Sequence, residues 1–167
     1  VYRDAASMSH IDIVGLDCHI GSQITEKSPF VDTMKRLLVL ADTLNEQGIT
    51  LNHLDIGGGL GVRYQNEEIQ SVDQYMRAIL PLLEGRSETL IVEPGRSMTA
   101  NAGVLLTEVV YLKVTEHKNF AVVDAAMNDM LRPSLYQAWM YVQNVGTHVN
   151  QQEKIYDVVG PVCESGD

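Results

Sequence analysis

Apolar and polar positions along the chain follow two different periods. Phe30, Met34, Leu37, Leu38, Ala41 and Leu44 recur at steps of three and four, which lines one face of a helix. Ser28-Pro29 supplies an N-cap followed by proline at the first helical position, and Gly48 closes the helix. Residues 11–19 (IDIVGLDCH), 51–56 (LNHLDI) and 89–93 (TLIVE) are short apolar runs that predict buried strands. A second helix is predicted over 71–84, capped by Ser71 and kinked at Pro81. Three strand–loop–helix units in succession predict parallel strands joined by helical crossovers.

Beyond residue 103 the character changes. The runs 103–117 (GVLLTEVVYLKVTEH), 119–125 (NFAVVDA), 140–145 (MYVQNV) and 156–161 (YDVVGP) read as strands with turns between them. The expected organisation is the end of an α/β domain over 1–103, followed by the start of a β-rich domain over 104–167. Both read as incomplete. No internal repeat or low-complexity segment appears.

A formal net charge of −10 speaks against a nucleic-acid partner, because a phosphate-binding surface needs clustered Lys and Arg. It leaves room for an anionic small molecule held by a few local donors. No apolar run approaches the roughly 18 residues a membrane span needs. Cys18 and Cys163 are too few for a disulfide scaffold and form no CxxC pair, so a reduced, cytoplasmic setting fits best. The chain opens on Val1-Tyr2-Arg3 without a start Met or leader pattern, and both ends read as cut.

Polar motifs fall where the first three strands end: His19-Ile20-Gly21-Ser22, Gly57-Gly58-Gly59 and Glu93-Pro94-Gly95-Arg96. Ligands of parallel α/β folds sit at the carboxyl ends of strands, so three such loops describe one site. A glycine triplet leaves amides free to approach an anion, although a turn that simply requires glycine is the commoner explanation. A dinucleotide fingerprint fails, since Val62 stands where its third glycine belongs. His19 alone would more often be a core histidine. Asp17 and His19 share a strand face and could pair on a metal, but no third ligand of suitable spacing accompanies them, and none is assigned. Glu93 could cap a loop or pair with Arg96. Cys163, in VGPVCESGD, could be a buried apolar residue, half of a disulfide, a metal ligand or a reagent.

HIGSQ, DIGGGLG and VEPGR, in this order, are joined later by DAAMNDMLRPSLY (124–136) and GPVCESGD (160–167). Together they closely resemble the pyridoxal-phosphate-dependent decarboxylases of the alanine-racemase-like fold, and among these the bacterial diaminopimelate decarboxylase family. The resemblance extends over essentially the whole chain. It implies an α/β fold: the C-terminal part of a pyridoxal-phosphate-binding TIM (β/α)8 barrel, followed by the first strands of a β-rich domain. It also implies decarboxylation of meso-2,6-diaminopimelate to L-lysine and CO₂, the last step of lysine biosynthesis, with pyridoxal 5'-phosphate as cofactor.

The same resemblance distributes roles. His19 would stack on the pyridine ring. Ser22, Gly57, Gly58 and Gly59 would hold the phosphate, helped by the backbone of Gly95 and Arg96. Glu93 would bond the pyridine nitrogen, and its charge favours the protonated, electron-accepting ring. Alanine racemase relatives place an arginine there, so the glutamate points to decarboxylation. Arg96 and Arg132 would grip the distal carboxylate of the substrate beside Tyr136, as a guanidinium fork suits a carboxylate. Glu164 would meet the distal ammonium group, and Cys163 would return a proton to the α-carbon. Ornithine decarboxylase relatives carry Asp after the cysteine and lack this arginine pair. Cys18 reads as core packing.

The family's lysine that bonds the cofactor lies upstream of Val1. None of Lys27, Lys35, Lys113, Lys118 and Lys154 stands in a comparable context, so the chain alone is expected to be inactive. The family pattern further implies a homodimer with shared active sites, the Cys163 segment completing the partner's site. A relative acting on ornithine, arginine or carboxynorspermidine, and a non-catalytic cofactor-binding paralogue, remain open alternatives.

Overall fold

The computed structural model describes residues 1–146 and 153–167. The chain divides at Gly103 into two units, Val1–Gly103 and Val104–Asp167.

In the first unit, a short helix α1 (Tyr2–Ala6) leads to β1 (Gly15–Asp17), α2 (Ser28–Glu46), β2 (His53–Asp55) and α3 (Val72–Ile79). A 3-10 turn (Leu80–Leu83), β3 (Thr89–Ile91) and α4 (Arg96–Thr99) follow. The three strands are parallel in the order β1-β2-β3, as the repeated strand–helix pattern predicts. Leu16, Leu54 and Leu90 stand in register across the sheet, and Leu54 is completely buried. The apolar stripe of α2 covers them through Phe30, Met34, Leu37, Ala41 and Leu44. The Phe30 ring meets Tyr75 of α3 edge to face, with centroids 4.8 Å apart, a geometry that adds to simple area burial and seats α3 against α2.

Ser71 caps α3 as expected. Its hydroxyl accepts the Gln74 amide at 3.2 Å, while the Gln74 side chain accepts the Ser71 N–H at 2.9 Å, a complete capping box. Several boundaries differ from expectation. Ser28 is not the cap of α2 but its first residue; Lys27 takes the cap position, and the Ser28 hydroxyl turns to Glu26. The second helix does not kink at Pro81 but ends at Ile79 and tightens into the 3-10 turn, because proline has no N–H to continue the α-ladder. Each parallel strand is three residues long rather than five to nine. Flanking residues make isolated bonds instead of a regular ladder: Asn52 and His53 both donate to Val14, and Cys18 donates to Asp55.

The second unit holds β4 (Val109–Val114), β5 (Asn119–Val123), the short helix α5 (Arg132–Tyr136) and β6 (Asp157–Val159). β4 and β5 are antiparallel, and β5 and β6 parallel. Of the run 103–117, only Val109–Val114 is strand. Residues 140–145 are not a strand at all. They pair with no strand among the described residues, although the outer edges of β4 and β6 carry no partner there. The segment around Arg132, without an expected element of its own, is helical.

Candidate functional site

The three motif loops of the first unit interlock at the carboxyl ends of β1, β2 and β3. The ladder continues past the strands: Cys18 N–H donates to Asp55 O at 3.1 Å, Ile56 N–H to Ile91 O at 3.2 Å, and Glu93 N–H to Gly57 O at 2.8 Å. This draws the glycine triplet between the His19 loop and the Glu93 loop. Gly57 (φ +69°) and Gly59 (φ +97°) hold backbone conformations that favour glycine. Space is equally restrictive at Gly58, where an added Cβ would stand 2.2 Å from the Glu93 carbonyl oxygen. The triplet is therefore first of all a close-packed turn, the bland alternative at the level of sequence.

His19 is fixed by that turn. Its Nδ1 accepts the Gly58 N–H at 3.3 Å, so in the neutral ring the proton sits on Nε2, while the side chain remains exposed. Asp55 holds the turn from beneath, its Oδ1 accepting the Gly57 N–H at 2.8 Å. Asp17 stands opposite Asp55 in the sheet register, and Asp17, Asp55 and Glu93 each bring a carboxylate oxygen within 4.8 Å of the others. The sequence pairs Asp17 with His19 by strand alternation. The structure instead groups it with Asp55 of the adjacent β2 and with Glu93 just past β3, a relationship that only the sheet order reveals. Burial, reinforced by Asp17 and Asp55, pushes the Cys18 thiol up from its ordinary pKa, as suits a side chain packed against the core.

Ser22 is exposed on the His19 loop, and Gly95 caps the N-terminus of α4. Arg96, the first residue of α4, turns its guanidinium to Gln23, with Nη1 3.4 Å from Oε1. Thus His19, Gly57–Gly59, Glu93 and Arg96 are brought together. Gln23, quoted within HIGSQ without a role, is their unforeseen companion.

In the second unit, Cys163 is exposed within the loop after β6. Asp167 organises that loop: Oδ1 accepts the Met127 N–H, and Oδ2 accepts the Val162 N–H at 2.7 Å. Gly160 has no room for a side chain, because a Cβ would stand 2.6 Å from the Ala125 carbonyl and would also press on the Asp167 carboxylate. Glu164 folds one carboxylate oxygen back on the N–H and hydroxyl of Ser165, each at 2.9 Å. Arg132 lies over the Tyr136 ring at 5.4 Å, and its Nε is buried without a hydrogen-bond partner among the described residues. A buried donor left unpaired is costly, which marks this guanidinium as one awaiting an acceptor. Asp124 and Asp129 of the DAAMND stretch serve the backbone. Asp124 takes the Thr107 hydroxyl and the Glu108 N–H, and Asp129 the Ala126 N–H.

Residues 1–100 match the pyridoxal binding domain of the pyridoxal-dependent decarboxylases, and the chain belongs to that family. Its cofactor is accordingly pyridoxal 5'-phosphate. At the level of individual proteins, the chain is 58% identical over 167 residues to the diaminopimelate decarboxylase of Pseudomonas aeruginosa, matching all of this chain and 40% of that protein. It is 52% identical to the diaminopimelate decarboxylase of Vibrio cholerae, again over 40% of its length. A crystal structure of diaminopimelate decarboxylase from Helicobacter pylori complexed with L-lysine superposes with a TM-score of 0.91 at 40% identity, covering 99% of this chain and 41% of that one. The chain thus spans about two fifths of the length of these relatives. The fold class expected from the sequence stands: parallel βα units of the pyridoxal-binding barrel, followed by a β-rich region. Among the described residues no helix is long and apolar enough to cross a membrane.

Proposed function

We propose that the full-length protein is a pyridoxal-phosphate-dependent decarboxylase that converts meso-2,6-diaminopimelate to L-lysine and CO₂. The observation that carries this reading is the convergence of an oriented His19, a glycine-rich turn and the Glu93 carboxylate at one sheet edge. That donor set fits the cofactor. His19 offers an imidazole whose orientation the Gly58 amide fixes, and Glu93 offers an acceptor for a protonated ring nitrogen. Asp17 and Asp55 beside it deepen the negative potential that favours the ring cation. Ser22, Gly59 and the backbone of Gly95 and Arg96 would hold the phosphate, with Gly57 and Gly58, whose own N–H groups go to Asp55 and His19, shaping the turn beside it. When bound, pyridoxal phosphate supplies the electron sink for the pair left by the departing carboxylate.

The remaining roles fall to side chains that meet the substrate. Arg96 in the first unit and Arg132 in the second each present a guanidinium for the distal carboxylate, and the unpaired Arg132 Nε supports its share. Tyr136 backs Arg132 through its ring face. Glu164 keeps one oxygen on its own turn and offers the other to the distal ammonium group. The exposed Cys163 thiol donates its proton to the α-carbon once CO₂ has left. The working protein is a cytoplasmic homodimer in which the Cys163 loop of one subunit completes the site of the other.

Incubating the full-length protein with pyridoxal phosphate and meso-diaminopimelate should release CO₂ and L-lysine in equal amounts. CO₂ release from ornithine, arginine or carboxynorspermidine, with none from diaminopimelate, would reassign the substrate within the family. Cofactor binding with no CO₂ from any of them would point to a non-catalytic paralogue.

A further inference from the structure

The geometry points to Gln23 as the positioning residue that sets the Arg96 guanidinium against the glycine-rich turn. Gln23 is the one side chain in the first unit that bonds to both the segment after β2 and the segment after β3 while itself belonging to the loop after β1. Its amide grips the backbone of Val62 at two points: Nε2 donates to the Val62 carbonyl at 2.6 Å, and Oε1 accepts the Val62 N–H at 3.1 Å. A primary amide bonded on both atoms cannot rotate, so the direction of the remaining Oε1 lone pair is fixed. Arg96 Nη1 donates to that lone pair at 3.4 Å.

The backbone around Gln23 is built for this fork. Gln23 has φ +59°, in the left-handed region that a glutamine adopts only when its surroundings impose it. On its C-terminal side, Ile24 forms a parallel bridge with Leu60, Ile24 N–H donating to Gly59 O at 2.9 Å and Gly61 N–H to Ile24 O at 3.0 Å. Val62 is buried, which excludes water as a ready replacement for the amide. Gln23 therefore carries the position of the glycine segment to Arg96. Without it, Arg96 keeps its charge but loses a fixed direction, and a guanidinium fork recognises a carboxylate through direction.

This rests on the assignment of Arg96 to the distal carboxylate of the substrate, and the test separates the two. In the full-length enzyme loaded with pyridoxal phosphate, KM and kcat for meso-diaminopimelate are measured for the wild type, Q23A, R96A, Q23A/R96A and Q23E. Hydrogen exchange at the Val62 amide is followed alongside. Loss of one hydrogen bond to a charged group predicts that Q23A raises KM roughly tenfold while kcat changes less than about threefold. The Val62 amide exchanges faster in Q23A. In the R96A background the further Q23A substitution leaves KM unchanged, because the two residues act through one contact. Q23E keeps an acceptor for Arg96 but gives up the Nε2 donor that pins the side chain to the Val62 carbonyl, so its KM falls between those of wild type and Q23A. An unchanged KM in Q23A, or an undiminished Q23A effect on top of R96A, overturns the role of Gln23. An unchanged KM in R96A removes the Arg96 assignment itself and this inference with it.

Discussion

His19 Nδ1 and the backbone N–H of Gly58 are hydrogen bonded at 3.3 Å, and this contact ties the loop after β1 to the turn after β2. Gly58 in turn leaves no room for a side chain of its own against the Glu93 carbonyl, so the three strand ends are held to one another. The imidazole orientation and the Glu93 backbone are thus set by the same glycine.

Enlarging that glycine should break the lock. In Gly58→Ala the new Cβ would stand 2.2 Å from the Glu93 carbonyl oxygen, and the clash is with backbone, which cannot swing aside. Overpacking of this kind should cost about 3 kcal/mol in urea denaturation of the full-length protein. Gly103→Ala, with nothing within 4 Å, should stay within about 0.5 kcal/mol of wild type.

With Cys163 as the proposed proton donor, Cys163→Ala should slow turnover and leave the cofactor site intact. Turnover should fall by about 100-fold or more, the usual worth of a positioned general acid. The absorbance of bound pyridoxal phosphate should be unchanged. Loss of that absorbance would instead make the thiol a structural group.

Asp167 acts on the same loop from four residues away. Its two oxygens take the N–H groups of Met127 and Val162, the latter adjacent to Cys163. Asn at this position presents an NH₂ to one of those donors. We expect Asp167→Asn to speed hydrogen exchange at Val162 and to lower kcat about tenfold, in line with the loss of one charge-assisted bond. Cofactor absorbance should be retained. Unaltered exchange at Val162 would refute the role of Asp167.

Tyr75 gives stability a pH dependence. Burial pushes its phenol up to about 12 from 10.0, with Cys18 and Asp55 adding to the shift. The unfolded chain therefore releases this proton near pH 10 while the folded chain keeps it. The contribution is complete below pH 10 and is lost as pH rises from 10 towards 12. At about 1.4 kcal/mol per unit, the loss over that window is on the order of 2 kcal/mol. Denaturation midpoints of wild type and Tyr75→Phe compared at pH 9 and pH 12 should diverge by that amount, the variant holding its stability. Parallel decline of the two would contradict the assignment.

The sequence revealed α2 because an apolar step of three and four over fifteen residues has few other outcomes, and five of its six predicted contacts are buried. The parallel order followed from the alternation of strands and helices. Strand lengths did not, because apolar residues such as Ile11 and Val14 satisfy hydropathy in loops and remain exposed here. The run 140–145 shows the same limit: an apolar run becomes a strand only where its tertiary surroundings pair it. Within the site, glycines and motif acids announced themselves, whereas Gln23 and Asp167 did not. Their roles depend on which backbone amide or carbonyl lies within reach, and residue type carries no trace of that.

Substrate preference tests the central claim most directly. With the full-length protein and pyridoxal phosphate, kcat/KM for CO₂ release is compared between meso-diaminopimelate and L-ornithine. If Arg96 and Arg132 grip the distal carboxylate as proposed, the preference for meso-diaminopimelate is at least about 100-fold, since a site built to pair a charged group rejects the analogue lacking it. Equal or better turnover of ornithine would contradict the account.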